Sequence, residues 1–247
     1  MFANKLCLND SKTEFIVFAQ KRHTEAMSEI SLRIGDASIR PSKRVKNLGV
    51  ILDSTLDFRA HIASIVKACR FHIRLAWFIR RYLDEETAKR LMLATVISRL
   101  DYCNSLLVNL PEKDIKLLQK VQNSAARLVT LTPRHSSITP IIKRLHWLPV
   151  RYRINYKIAT TVHKCVHGKA PVYLKDLIKP YVPSRNLRSS TDLKLIVPKS
   201  NLKTVGNRAF SRAGPMIWNE LPVSLKKTQS LTSFKSRLKT HYFNKAF

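Results

Sequence analysis

Acidic residues are scarce in this chain of 247 residues. Sixteen Asp and Glu stand against 45 Lys and Arg, which gives a formal net charge of +29. The shortage is uneven: residues 1–60 carry ten basic and seven acidic side chains, whereas residues 115–247 carry 26 basic and only three acidic ones. A field of one sign attracts polyanions, and such binding weakens steeply with salt because each neutralised phosphate releases counterions. The composition therefore predicts RNA or DNA as the partner, with an anionic membrane surface as the alternative.

Features typical of several other protein classes are also missing. No apolar run reaches 18 residues, and the first residues do not resemble a secretory signal peptide, so we rank nucleic acid above a membrane. Only five glycines occur and none forms a phosphate-binding loop, while no Ser-His-Asp arrangement has local support. The four cysteines are widely spaced without a Cys-x-x-Cys pair, which is typical of reduced thiols in an intracellular protein.

One short cluster has ligand-like chemistry, the segment His163-Lys-Cys165-Val-His167. Its two histidines are one helical turn apart, so they can face a common metal ion. A zinc site needs two further ligands held nearby. The simpler interpretation is a pair of histidines on a helix surface near phosphate, and we predict neither a metal nor a cofactor.

The first sixty residues alternate between apolar and polar side chains, which predicts strands over Thr13–Phe18, Ile30–Ile34 and Val45–Leu52. Gly35-Asp36 indicates a tight hairpin before Ile39. From about residue 59 the apolar period changes to that of helices. The fold class is therefore α+β and mostly α: a small antiparallel β region, a helical bundle, and a basic, mainly helical C-terminal region.

Helix boundaries are predicted by their end signals. The first helix has an apolar face comprising Ile62, Ile65, Val66, Cys69, Ile73, Ala76, Trp77 and Ile79. Asp84 caps a second helix reaching about Leu107, and Pro111 opens a third that ends before Pro133, with Ile115, Leu118, Val121, Ala125 and Leu128 as its apolar stripe. A fourth covers about 150–167 and stops at Gly168, and a last one covers about 230–245 with Leu231, Phe234 and Leu238 inward. Residues 180–205 are predicted as a connector with a short strand at Leu193–Val197.

Cations on the polar faces of these helices are the candidate phosphate contacts. They are Lys67, Arg70, Arg74, Lys116, Lys120 and Arg127. A second group combines cations with aromatic rings, which suits phosphates and unpaired bases: Arg151, Tyr152, Arg153, Tyr156 and Lys157. The alternatives are ordinary surface charge for the cations and core packing for the tyrosines. Trp147 is predicted in the core, and Asp101 in a structural hydrogen-bonding role.

Motifs in order along the chain resemble one family. Asn9-Asp-Ser-Lys12-Thr13 and Leu48-Gly49-Val50-Ile51-Leu52-Asp53 are similar to the Leu-Asn-x-x-Lys-Thr and Leu-Gly-x-x-Leu-Asp segments that follow the metal-binding hairpin of jockey-like non-LTR retrotransposon reverse transcriptases. Later segments continue the resemblance. They are Ser98-Arg-Leu-Asp101-Tyr-Cys-Asn104, Leu145-His146-Trp147-Leu148-Pro149, Ala170-Pro171-x-Tyr173-Leu174, Trp218-Asn219-x-Leu221-Pro222 and Phe234-Lys235-x-x-Leu238.

The resemblance implies a truncated reverse transcriptase that lacks the catalytic aspartates. It divides the chain into a palm remnant at 1–58, a thumb-like bundle at 59–132 and a basic C-terminal domain at 133–247. The resemblance places Lys12 beside the incoming triphosphate and gives it a catalytic role only within a complete palm. The chain is therefore not expected to be an enzyme by itself. The implied activity is non-specific RNA or DNA binding, with the template-primer duplex as ligand. The implied location is intracellular, and the family implies activity in the nucleus at a chromosomal target.

Two other interpretations stay open at this level. The same residues suit a basic helical protein-interaction module reused by its host, or a translated relic without function. Binding that falls steeply with salt and tolerates any sequence favours the first interpretation, whereas stoichiometric recovery of one protein favours the module.

Overall fold

A computed structural model of the chain describes residues 9, 12–20, 23, 26–35, 37–183, 192–202 and 204–247. The chain divides into two compact units, Met1–Ser64 and Ile65–Phe247. Helices dominate, and the strands form two antiparallel sheets of two strands each. The predicted fold class, α+β and mostly α, is therefore confirmed.

The first unit contains two short hairpins. Strand β1 (Leu32–Ile34) pairs with β2 (Ala37–Ile39), and β3 (Arg44–Asn47) pairs with β4 (Val50–Asp53). The hairpin predicted after Ile34 is present, although Asp36 lies outside the described residues. A single strand over Val45–Leu52 was a wrong prediction. Leu48 and Gly49 have φ of 45° and 83°, the left-handed backbone of a two-residue hairpin turn, and the segment reverses there.

The strand predicted over Thr13–Phe18 is also wrong. This segment makes only an isolated bridge between Phe15 and Pro41, with Ser42 donating its N–H to the Phe15 carbonyl at 2.7 Å. Proline has no N–H to give, so the pairing does not extend into a ladder. Alternation of side chains predicts which way they point, but it does not supply a neighbouring strand.

Asp53 organises the turn that leads from β4 into the first helix. Its carboxylate accepts hydrogen bonds from the main-chain N–H of Thr55, Asp57 and Phe58 at 3.2, 2.9 and 2.8 Å, and from the Thr55 hydroxyl at 2.9 Å. Burial alone would raise the pKa of this carboxyl, but the hydrogen bonds outweigh it and the pKa is lowered. Asp53 is therefore a structural anion.

Helix α1 (Arg59–Ile79) begins in the first unit and continues into the second. Ile62, Val66, Cys69 and Ala76 are buried as predicted, whereas Trp77 and Ile79 are 60% and 46% exposed. The core-face prediction was wrong for these two side chains. Trp77 follows Ala76 by one residue, about 100° around the helix, which takes it off the buried stripe.

The second helix starts where Asp84 accepts a hydrogen bond from Thr87 N at 2.8 Å. It consists of α2 (Glu85–Met92), a π-helical segment (Leu93–Ile97) and α3 (Ser98–Asp101), with a 3₁₀ turn (Asn104–Leu107) after it. The predicted end near Leu107 was wrong, because Cys103 has a φ of 50° and interrupts the helix. Helix α4 (Glu112–Thr130) follows Pro111, and its predicted apolar stripe is buried.

The remaining helices complete the second unit. They are α5 (Thr139–Arg144), α6 (Val150–Val166), α7 (Val172–Lys175), α8 (Phe210–Asn219), α9 (Val223–Lys226) and α10 (Leu231–Ala246). Helix α6 lies at the centre and packs against α4, α8 and α10. Gly168 has a φ of 68° just after α6, in agreement with the predicted helix stop. The helices of both predicted helical regions, 59–132 and 133–247, thus pack together in one unit from Ile65 onward.

Core predictions near the C terminus hold for most side chains. Trp147, Phe234 and Leu238 are buried, while Leu231 is half-buried. The strand predicted at Leu193–Val197 is wrong, since only a bridge between Pro180 and Leu195 forms. The amide of Asn219 takes the place of a strand partner: it accepts from the Leu195 N–H and donates to its carbonyl, both at 2.9 Å.

Candidate nucleic-acid interface

Lys12 lies in a turn held by Asn9. The Lys12 N–H donates to the Asn9 carbonyl at 3.1 Å and to its side-chain oxygen at 3.2 Å, and the Thr13 hydroxyl donates to the same carbonyl at 2.9 Å. The Asn-x-x-Lys-Thr spacing therefore builds a local turn. The Lys12 side chain is exposed.

Three predicted phosphate contacts, Lys67, Arg70 and Arg74, are exposed along α1. Their spacing of three and four residues places them on one helical face. Lys116 and Lys120 are exposed on α4 with a spacing of four. None of these five side chains has a carboxylate within 4.0 Å among the described residues. Their charge is therefore available to an external anion.

Arg127 differs from the other α4 cations. Its guanidinium donates to the main-chain carbonyls of Pro133, Arg134 and Ser136 at 3.4, 3.4 and 3.0 Å. These bonds tie the loop after α4 back onto the helix. The side chain has a structural role that its position on the polar face does not reveal.

Asp101 and Arg153 form an ion pair between α3 and α6. Arg153 Nε donates to Asp101 Oδ1 at 2.7 Å, and Arg153 Nη2 donates to Oδ2 in a second short contact. Asn104 Nδ2 donates to the same Oδ1 at 3.3 Å. The structural hydrogen-bonding role predicted for Asp101 is confirmed.

This ion pair borders a cavity of about 470 Å³, which we call the basic cavity. Helices α2, α3, α6 and α10 contribute to its wall, together with the segment 145–148. Its polar lining consists of Lys89, Asp101, Asn104, Arg153, Lys157 and Lys239. Its aromatic lining consists of His146, Trp147 and Tyr156. Four cations thus surround a single carboxylate, which Arg153 already neutralises.

The predicted group on α6 is divided between two cavities. Arg153, Tyr156 and Lys157 line the basic cavity, whereas Arg151 and Tyr152 line a second cavity of about 380 Å³. Burial raises the pKa of Tyr156, so its hydroxyl stays protonated near neutral pH. Lys157 is exposed at the cavity mouth without a carboxylate partner among the described residues.

Arg151 and Tyr152 have partners within the protein. Arg151 lies 3.7 Å from a Glu112 carboxylate oxygen, and both side chains are exposed. The Tyr152 hydroxyl donates to the Lys245 carbonyl at 3.2 Å, and its ring lies 5.7 Å from that of Tyr242. Tyr152 is half-buried and packs against α10, so core packing, the alternative considered for the tyrosines, describes it in part.

His163 on α6 belongs to the core, whereas His167, just after the end of that helix, is half-buried. His163 is fully buried, with Nε2 2.7 Å from the Thr228 carbonyl oxygen, and its ring stacks 4.1 Å from the rings of His167 and Phe234. The interpretation of two surface histidines was wrong for His163. Burial lowers its pKa below the usual value of 6.5. No group of three or more potential metal ligands occurs within the described ranges.

Six polar or aromatic residues of the basic cavity were missed by sequence reasoning as members of a site: Lys89, Asp101, Asn104, His146, Trp147 and Lys239. Helical spacing predicts only which residues of the same helix share a face with Lys89. It cannot predict that Lys239, on α10 and far away in the sequence, lines the same cavity. Trp147 was expected in the core, where it is, and its contact with the cavity has no sequence signal.

No helix in the described part of the chain combines the length and apolarity needed to cross a bilayer. Comparisons with protein families, with curated proteins and with solved structures found no match to this chain.

Proposed function

We propose that the second unit binds RNA or DNA mainly through phosphates, as the thumb and C-terminal region of a non-LTR reverse transcriptase grip a template-primer duplex. The supporting observation is the surplus of unpaired cations. From residue 115 onward, Arg144, Arg151, Arg153, Lys194 and Lys245 have carboxylate partners. Most other cations in the described part of that region have none, and only three acids exist there.

The structure separates cations that stabilise the protein from those open to a ligand. Arg80, Arg127 and Arg153 bind main-chain carbonyls or a carboxylate. Lys67, Arg70, Arg74, Lys116 and Lys120 lie exposed on two helices of the same unit. Phosphates are the ligands that such rows of cations attract, without regard to base sequence.

Fluorescence anisotropy of the full chain with an RNA–DNA hybrid duplex and with single-stranded RNA, over a salt series, tests this proposal. We expect steep salt dependence and affinities that vary little with sequence. The triple variant Lys67→Gln, Arg70→Gln, Arg74→Gln should reduce the salt slope for the duplex by about 0.9 for each phosphate that it no longer neutralises.

The control triple variant is Arg40→Gln, Lys43→Gln, Lys46→Gln, which removes the same charge from exposed positions of the first unit. We expect it to change the slope much less. No binding at low salt, or equal effects of the two triple variants, would contradict phosphate binding by the second unit.

Exposed apolar residues on α1 and on the 3₁₀ turn that follows it (Arg80–Tyr82) favour a second candidate function, protein docking. Phe71, Leu75, Phe78 and Tyr82 are 57%, 48%, 68% and 72% exposed at spacings of four, three and four residues. Apolar patches of this kind mark interaction surfaces. If the patch serves a protein, Phe71→Ser with Phe78→Ser should leave nucleic-acid affinity unchanged. A drop in affinity for single strands would instead show that bases stack there.

A further inference from the structure

The basic cavity contains two polar groups without hydrogen-bond partners in its wall. Asn104 and Trp147 line the cavity and are only 2% and 4% exposed. Asn104 Oδ1 and Trp147 Nε1 have no hydrogen-bond partner among the described residues. Such buried, unsatisfied groups are rare in native proteins because each one costs free energy.

The orientation of the Asn104 amide is fixed by its neighbour. Asn104 Nδ2 donates to Asp101 Oδ1, and turning the amide over would place its oxygen against that carboxylate. The unsatisfied atom is therefore an acceptor. The indole N–H of Trp147 can only donate. A ligand that satisfies both must itself carry a donor and an acceptor.

The cations of the cavity add a requirement for negative charge. Arg153 is bound to Asp101, and Lys89 lies 3.7 Å from Glu86. Lys157 on α6 and Lys239 on α10 have no carboxylate within 4.0 Å among the described residues. Both side chains are exposed, so they can receive an anion at the mouth.

These requirements together select a narrow ligand class. Inorganic phosphate can satisfy the lysines, the indole N–H and, through its own hydroxyl group, the Asn104 oxygen, but it has no flat face to lie against an aromatic ring. A nucleotide offers a phosphate together with a base that has donors, acceptors and a flat face for Tyr156 or His146. A volume of about 470 Å³ lies within the range of small-molecule sites.

We propose that the basic cavity binds one unstacked nucleotide, with its phosphate at Lys157 and Lys239 and its base on Asn104 and Trp147. This inference rests on the proposed nucleic-acid binding and adds a base-dependent site to it. The expected behaviour is a preference for strands with bases over bare phosphate backbone, whatever the sequence.

The test compares two single strands of about twelve nucleotides, within the usual size of single-strand sites. One carries bases throughout, and the other is abasic with the same phosphates. We expect the full chain to bind the abasic strand at least about tenfold more weakly. In Lys157→Gln with Lys239→Gln, this ratio should collapse toward one, and the salt slope should fall by about 0.7 for each phosphate left without a cation.

Two further variants assign the effect to the cavity. Asn104→Leu should reduce the ratio without changing the salt slope, because it removes no charge. Lys67→Gln with Arg70→Gln, a charge-matched control outside the cavity, should keep the ratio. Circular dichroism shows whether Asn104→Leu folds; the lysine variant changes only exposed side chains and tests the site independently.

The outcomes separate this inference from the proposed function. Equal binding of the two strands, or an unchanged ratio in the lysine variant, would overturn the nucleotide site and leave phosphate binding intact. Failure of both single strands to bind would overturn the nucleotide site, and failure of the RNA–DNA hybrid duplex as well would overturn both proposals. AMP, GMP, CMP and UMP, added as competitors, distinguish the source: competition that removes the base-dependent part assigns the site to free nucleotides, and no competition assigns it to nucleotides within a strand.

Discussion

The Arg80 guanidinium donates a hydrogen bond from Nη2 to the main-chain carbonyl of Val129 at 2.7 Å, at the last turn of α4. The same side chain donates to the carbonyls of Leu128 and Leu83 at 2.8 and 2.6 Å. The final carbonyls of a helix lack partners within the helix and form the negative end of its dipole. Buried Arg80 therefore caps α4 and contributes nothing to an external surface.

Replacing Arg80 by Met should lower the free energy of unfolding by about 3 kcal/mol, because buried carbonyls lose their donors. Urea denaturation followed by circular dichroism measures the change. Arg81→Gln is the matched control, since Arg81 is exposed with its guanidinium 4.7 Å from the Tyr82 ring centroid. It should change stability by less than about 0.5 kcal/mol. Equal effects of the two variants would contradict the capping role.

Arg127 and Lys120 on α4 should respond in opposite ways. Arg127→Gln removes donors from three loop carbonyls, so we expect a stability loss of about 1 kcal/mol with little change in the salt slope for nucleic acid. Lys120→Gln should keep the stability and reduce the slope. Thermal unfolding and anisotropy on the same samples check both. A reversed pattern would show that the guanidinium of Arg127 contacts phosphate.

Asp101 and Arg153 should be energetically coupled. A double-mutant cycle with Asp101→Asn and Arg153→Gln isolates their interaction, for which we expect about 1 kcal/mol, since the side chains are 36% and 19% exposed. Unfolding in urea at low and moderate salt provides the four free energies. Purely additive losses would mean that the ion pair contributes nothing to stability.

The burial of His163 predicts acid sensitivity. Burial lowers the pKa of this imidazole, and the nearby His167 and Lys169 lower it further, while a hydrogen bond with Thr228 acts in the opposite direction. The unfolded chain then binds the proton first, so this contribution to stability is lost as the pH falls from about 6.5 toward the lower folded pKa.

Urea denaturation at a series of pH values from 7.5 to about 5 measures this loss. In His163→Gln the loss should be smaller, although the lowered pKa values of His61 and His241 leave some of it. His135 is exposed, and His135→Gln should retain the full pH dependence. An unchanged pH profile in His163→Gln would show that other groups cause the loss.

Helix ends could be predicted from the sequence because their signals are local. The Asp84 carboxylate, Pro111 and Gly168 each act on the residues beside them, and each marks a helix end in the structure. The backbone conformation at Leu193–Val197 could not be predicted in this way. It is held by the side chain of Asn219, 24 residues away from Leu195, and no local pattern contains that hydrogen bond.

In the candidate site, too, local features could be predicted from the sequence and contacts between distant residues could not. Exposure of Lys67, Arg70 and Arg74 follows from helical spacing. Lys89 and Lys239 are 150 positions apart in the sequence, yet both line the basic cavity. Only the packing of the helices around α6 brings them close together. The residue types predicted that this surface is positively charged. That Asn104 Oδ1 and Trp147 Nε1 lack hydrogen-bond partners follows from the tertiary structure and could not be predicted.

The π-helical segment Leu93–Ile97 sets the rotational phase of everything that follows it in the helix. A π-turn accommodates one residue more than an α-turn, and each residue of an α-helix advances the direction of its side chain by about 100°. If the same residues wound as a regular α-helix, Asp101 would be turned by about 100° away from Arg153. The ion pair between α3 and α6 thus depends on an irregularity one turn earlier, and a sequence change that favoured α-helical winding there would act at a distance on the wall of the basic cavity.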